Sequence, residues 1–186
     1  MEQIACGRTV NPFGSLILAG LRKRRPQICR KKTMIRKREK MILVSKCLTG
    51  VPCRMDGQSK LVPEIRKLVD EGKAVPVCPE VLGGLPTPRK PSERLSDGRV
   101  VNCEGEDNTD AFITGAEKAL RICREHGCTQ AILKSKSPSC GKGIIHNGKF
   151  DGGLVEGNGV FAELLLSEGI KVMTEDEYLN SLTSRE

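Results

Sequence analysis

MILVSKCLTG, residues 41 to 50, decides how this chain folds. The apolar run Ile42–Lys46 is short, β-branched at Ile42 and Val44, preceded by charged residues and followed by a cysteine and a glycine. That is the pattern of a strand buried on both faces. Working outward, a related pattern recurs three times: a helix-like stretch, a glycine stop, a short apolar run, then a loop. A first helix is predicted from Pro63, a residue suited to the first helical turn, with Ile65, Leu68 and Val69 before Gly72. The strand Ala74–Val77 follows. A second helix begins near Asn108 or Thr109, puts Phe112, Ala116, Ala119, Leu120 and Cys123 on one face, stops at Gly127 and leads into Ala131–Lys134. A third, capped near Asn158, buries Val160, Phe161, Leu164 and Leu165, stops at Gly169 and leads into Ile170–Met173. A last helix opens with a capping box of Thr174 and Glu177.

Strand, helix and strand in repetition imply right-handed crossovers. The expected fold is α/β: a small Rossmann-like three-layer domain with a parallel sheet of about four strands. In such sheets, sites form beyond the carboxyl ends of the strands, where the strand order reverses. Cys47 directly follows the first predicted strand, Cys78 the second, and Cys140 lies in the loop after the third, so all three fall on that edge. The loops there run to about 15, 30 and 20 residues against the usual 4 to 6, which marks them as functional.

Charge divides the chain. Of its 31 Lys/Arg and 23 Asp/Glu, twelve and two lie in residues 1–40, leaving 19 basic against 21 acidic residues after Met41. The body is near neutral, so affinity for a polyanion would belong to residues 1–40. These read as a basic, dispensable tail, and residues 41–186 as the folded domain. The simplest account of the tail is an extension ahead of a start at Met41, with an organelle-targeting peptide as the alternative. The run FGSLILAGL is too short to span a membrane and lacks the leading charges of a signal peptide. With no Trp, one Tyr and four Phe, the aromatic platforms used to stack bases are not evident. A cytoplasmic protein with no membrane partner is expected.

Nine cysteines without a secretory signal point away from a disulfide framework and toward metal, redox or plain burial. Cys123, on the inner face of the second helix, and Cys128 read as core, and Cys6 and Cys29 belong to the tail. Cys103 lies near the site edge and takes no assigned role. Cys53, six residues after Cys47, keeps a four-cysteine zinc site open. Three soft thiolates and two histidines favour a thiophilic centre, zinc or iron-sulfur, over a hard cation. His126, at a helix C-terminus, and His146, in a loop, read as structural.

Together, SKCLTGVPCRMDG, VPVCPEVLGGLPTPR, LKSKSPSCG and GNGVFAELL resemble the small thiouracil desulfidase family of iron-sulfur proteins. The resemblance runs in order over residues from about 41 to 178. It implies a [4Fe-4S] cluster held by three cysteines, here Cys47, Cys78 and Cys140, with the fourth iron left for substrate. It also implies Glu80 of CPE and Ser137 of SPSCG as catalytic residues. Met55, where an aromatic residue is common in the family, and His146-Asn147, where Tyr-Asp is common, bear on substrate preference.

The chemistry is coherent in its own right. A thiocarbonyl sulfur is soft and binds an open thiophilic iron, which polarises the carbon-sulfur bond without electron transfer. Glu80 would take a proton from the attacking water and Ser137 would orient that water, releasing hydrosulfide. The function that the resemblance implies, and with which this chemistry agrees, is non-redox desulfuration of a thiolated pyrimidine. Free base, nucleoside and thiolated RNA remain open as substrates. Two alternatives stand beside it: an electron-transfer protein with Cys53 as fourth ligand, and a zinc-stabilised RNA-binding module.

Overall fold

The computed structural model describes residues 40–184. Of the tail expected at residues 1–40, residues 1–39, with Cys6 and Cys29, lie outside them. In chain order the described elements are β1 (Ile42–Ser45), a 3-10 turn (Lys46–Thr49), α1 (Pro63–Asp70), β2 (Ala74–Val77), α2 (Pro79–Leu82), β3 (Ser92–Arg94), β4 (Val100–Asn102), α3 (Thr109–Glu125), β5 (Gln130–Leu133), β6 (Ile144–His146), β7 (Leu154–Glu156), α4 (Val160–Ser167), β8 (Lys171–Thr174) and α5 (Glu175–Thr183). Among them no helix is long and apolar enough to cross a membrane.

Four strands form one parallel sheet in the order β2-β1-β5-β8, with Leu43 opposite both Val75 and Ala131 and Ile132 opposite Met173. The α/β reading with four parallel strands holds. Because the central strands are covered on both faces, Leu43 and Val44 point to opposite sides and both are fully buried. On one side Val44, Leu48, Ile65 and Ile132 pack with residues of α1 and α5. On the other, Leu43, Leu133 and Val172 meet Ala116, Ala119 and Cys123 of α3 and Phe161 and Leu165 of α4. Cys123, on the inner face of α3, and Cys128 both belong to this second core, as expected.

The chain leaves β1 toward β2 on one side, whereas β5 leads on to β8 on the other. The order therefore reverses between β1 and β5, opening a crevice at their carboxyl ends. The long loops at that edge carry local structure that no hydrophobic period announced: the one-turn helix α2 and two antiparallel ribbons, β3-β4 and β6-β7. One predicted cap also differs. Gly159 occupies the N-cap of α4, and the Asn158 side chain instead accepts a hydrogen bond from Gly143 N at 2.8 Å. This choice ties β6 to the start of α4.

Candidate metal centre

Three strand ends deliver the three cysteines. Cys47 lies in the 3-10 turn that continues β1, Cys78 is the residue between β2 and α2, and Cys140 sits in the loop after β5. All three line one cavity of about 340 Å³, together with Glu80 and Ser137. Every site residue predicted from the sequence is thus brought to one place. Cys103 is exposed and does not line the cavity.

On one wall, Cys53 is buried and its carbonyl oxygen accepts from Cys78 Sγ at 3.8 Å. The neighbouring Cys47 thiol, opposed by the Cys78 thiol and reinforced by burial, pushes the Cys53 thiol up to about 11. Cys78 is also pushed well above the usual thiol range, first by its contact with Cys53 and then by burial. Helix α2 begins with Pro79 at its first position, where the missing N–H costs nothing. It is pressed against α3 through two glycines: a Cβ on Gly83 would stand 2.0 Å from Ala111 O, and one on Gly115 would stand 2.0 Å from Pro79 O. That close approach fixes Cys78 and Glu80 relative to the sheet. The Glu80 carboxylate, 16% exposed, is gripped by Arg89, 7% exposed, whose Nε and Nη2 donate to Oε2 at 2.9 and 2.6 Å.

The opposite wall is the SPSCG loop. Ser137 Oγ accepts from the backbone N–H of Ser139 and of Cys140, both at 3.1 Å, and Gly141 N donates to Ser137 O at 2.8 Å. The loop is therefore a tight turn with the Ser137 O–H still free to donate. Glycines let it pack: a Cβ on Gly159 would lie 2.5 Å from Ser139 C and O, and one on Gly141 2.7 Å from Ser137 O. Burial pushes the Cys140 thiol up to about 12, against an opposing pull from the Ser45 and Ser139 hydroxyls. Below this loop, Glu175 is 1% exposed. It accepts from Ser135 N at 2.7 Å and Ser135 Oγ at 3.0 Å, and pairs with Lys134 at 2.9 Å and Lys60 at 3.3 Å.

These residues fit an iron-sulfur cluster. The Ser139 hydroxyl is fully buried with no hydrogen-bond partner among the described residues, and its pull on the Cys140 thiol places it close to that sulfur. A buried donor in that position is satisfied by a thiolate or sulfide acceptor. Among the described residues, no three His, Cys, Asp or Glu side chains converge closely enough to hold a single ion. Three thiols delivered by separate loops to one cavity suit a cluster in which each ligand takes its own iron.

Comparison with known proteins decides the family. The family model described as 2-thiouracil desulfurase matches residues 42–177. The chain belongs to this 2-thiouracil desulfurase family. A Bacillus subtilis (strain 168) protein, uncharacterized and named YbbK, is 45% identical over 146 residues, covering 74% of this chain and 97% of its own. A solved structure of the [4Fe-4S]-dependent thiouracil desulfidase TudS is 46% identical with a TM-score of 0.72, covering 78% of this chain and 97% of that one. Membership does not favour the electron-transfer and zinc-module alternatives.

Within this family member, three residues make contacts at the site that the sequence reading left unassigned: Arg89, Glu175 and Ser45. Arg89 was visible in LPTPR but had no partner assigned, because the Glu80 it grips lies across a loop. His146, read as structural and as a departure bearing on substrate preference, lines the cavity with an Nδ1 that is buried and without a partner among the described residues, and Met55, the other departure from the family pattern, lines it too. Glu175 is one of three acids in the first turn of α5, and the sequence reading assigned it no role. Ser45 lies inside the predicted strand Ile42–Lys46 with no role assigned, yet its Oγ accepts from Lys134 N at 3.0 Å and pulls on Cys140.

Proposed function

We propose that Cys47, Cys78 and Cys140 hold the [4Fe-4S] cluster of this enzyme, that Glu80 is the general base, and that Ser137 positions the attacking water. The activity is iron-sulfur-dependent desulfuration of thiouracil, the reaction of the family to which the chain belongs. One observation supports the residue assignments above all: three thiols, a carboxylate and a hydroxyl from separate loops line a single cavity.

When bound, the cluster supplies a thiophilic Lewis acid for the thiocarbonyl sulfur. Glu80 Oε2 is held by Arg89, which leaves Oε1 to accept a proton from water. The Ser137 O–H, whose oxygen is anchored by two backbone amides, points a hydrogen bond at that water. The water oxygen bonds to the ring carbon, the carbon-sulfur bond breaks, and the sulfur leaves as hydrosulfide. Oxygen replaces sulfur at an unchanged oxidation level, so no reductant is consumed.

A cavity of about 340 Å³ lies at the small end of the range for ligand sites, which favours a single thiolated ring. Free thiouracil or its nucleoside is therefore the first substrate to test. A thiouridine within RNA would have to be turned out of its strand to reach the cavity. The cysteines of the described domain are all free, which fits a reducing cytoplasm. Residues 41–186 would carry the whole activity.

The test is an anaerobic incubation of cluster-loaded protein with 4-thiouracil in the absence of reductant, measuring sulfide and uracil. Equimolar release of both is expected. Intact cluster with neither product from thiouracil or thiouridine would overturn the reading.

A further inference from the structure

We propose that Arg89 is a positioning residue for this reaction, a guanidinium clamp that presents one oxygen of Glu80 to the cavity and locks the loop carrying Cys53 to the helix carrying Glu80. The inference rests on the assignment of Glu80 as general base and adds to it a residue with no previous role.

Arg89 is nearly buried, and all three of its guanidinium nitrogens are engaged. Nε and Nη2 both donate to Glu80 Oε2, at 2.9 and 2.6 Å. Nη1 and Nη2 both donate to Cys53 O at 3.2 Å, and Nη1 also reaches Pro86 O at 3.2 Å and Thr87 Oγ1 at 3.3 Å. Its own backbone N–H donates to Met55 O at 2.8 Å. Among the described residues, every hydrogen bond to the Glu80 carboxylate falls on Oε2, so Oε1 is the oxygen left for chemistry.

This arrangement separates two jobs within one carboxylate. An unrestrained glutamate at a cavity wall samples several rotamers, and few of them aim an oxygen at the attacking water. With both arms of the planar fork on Oε2, that oxygen is held in place from two directions and Oε1 is left unshared. A lysine, with a point charge and no fork, holds the oxygen less rigidly. Misplacement of a reacting group by about 1 Å can cost about 10²-fold in rate. The guanidinium does not reach the substrate in this scheme, and it acts through Glu80.

The experiment compares wild type, Arg89→Lys, Arg89→Ala, Glu80→Gln and the Arg89→Ala/Glu80→Gln double variant, with rates expressed per intact cluster from iron, sulfide and visible absorption. Arg89→Ala should keep its cluster and lose about 10²-fold in kcat with little change in KM, because substrate binding does not use the arginine. Arg89→Lys should recover part of that loss. Methylguanidinium added to Arg89→Ala should raise kcat, and added to the double variant should do nothing. The double variant should be no slower than Glu80→Gln alone, since both changes act on one carboxylate. If Arg89→Ala does not fold, Arg89→Lys set against Glu80→Gln carries the same comparison. Normal kcat per cluster in the arginine variants, with Glu80→Gln impaired, overturns the clamp and leaves the general base standing. Normal turnover by Glu80→Gln overturns both.

Discussion

At the amino ends of the strands, three helices stop in the same way. Gly72, Gly127 and Gly169 take φ values of 68°, 63° and 74° after α1, α3 and α4. In each case the residue after the glycine reaches back to a carbonyl in the last turn: Lys73 N to Leu68 O, Cys128 N to Cys123 O and Ile170 N to Leu165 O, at 2.8, 2.9 and 3.0 Å. At the carboxyl ends nothing repeats. The loops there are long, and each is held by a different long-range device: the Arg89 clamp, the Gly83–Gly115 contact, the buried Glu175 beneath Ser135. Identical local solutions at one edge and singular tertiary ones at the other separate scaffold from site. Changes at the first edge should cost stability alone, and changes at the second should cost chemistry.

The widest gap between the edges is expected from Glu80→Gln. Removing the base while keeping size and hydrogen bonding should lower kcat by about 10²- to 10⁴-fold with the cluster intact, measured as sulfide released per cluster. Next comes Gly159→Ala. With Ser139 backbone atoms 2.5 Å from the new methyl group, it should lose about 1–3 kcal/mol in urea unfolding and lower the iron content, because the strain falls on the Cys140 loop.

Glu175→Gln should cost a similar or smaller amount, since Lys60 and Lys134 are partly exposed and solvent takes over some of their charge. Burial alone would raise the Glu175 carboxyl, but Lys134 and the Ser135 amide outweigh it and hold it below its ordinary 4.5. A depressed folded value stabilises the native state above the unfolded value, and that stabilisation is lost as pH falls through the folded one. The difference in urea midpoint between wild type and Glu175→Gln should therefore be full at neutral pH and narrow below pH 4.5.

Gly127→Ala should be milder in function. A methyl group there meets open space, so the cost is the left-handed backbone, about 1–2 kcal/mol, with kcat per cluster unchanged. Smallest of all, a chain beginning at Met41 should keep wild-type iron content and turnover. Loss of either would make residues 1–40 part of the enzyme.

The same contrast explains how much the sequence disclosed. Helix stops and strand runs are local, written in neighbouring residues, so α1, α3, α4 and α5 and the four parallel strands were legible with boundaries shifted by a residue, as at β5 and β8. The sheet-edge rule then placed Cys47, Cys78 and Cys140 together. The Arg89–Glu80 grip and the Glu175–Ser135 anchor join residues that spacing does not relate, and β3-β4 and β6-β7 are too short for an alternating pattern to show. Asn158 illustrates the limit: its residue type signalled a helix cap, and the fold spent its side chain on Gly143.

The most direct test of the account is the iron content of Cys47→Ser, Cys78→Ser and Cys140→Ser, each prepared anaerobically beside wild type and Cys53→Ser. Wild type and Cys53→Ser should carry about four irons per chain, and each of the other three should lose most of its iron. Full iron in any one of those three, or its loss from Cys53→Ser, would contradict a cluster held by Cys47, Cys78 and Cys140.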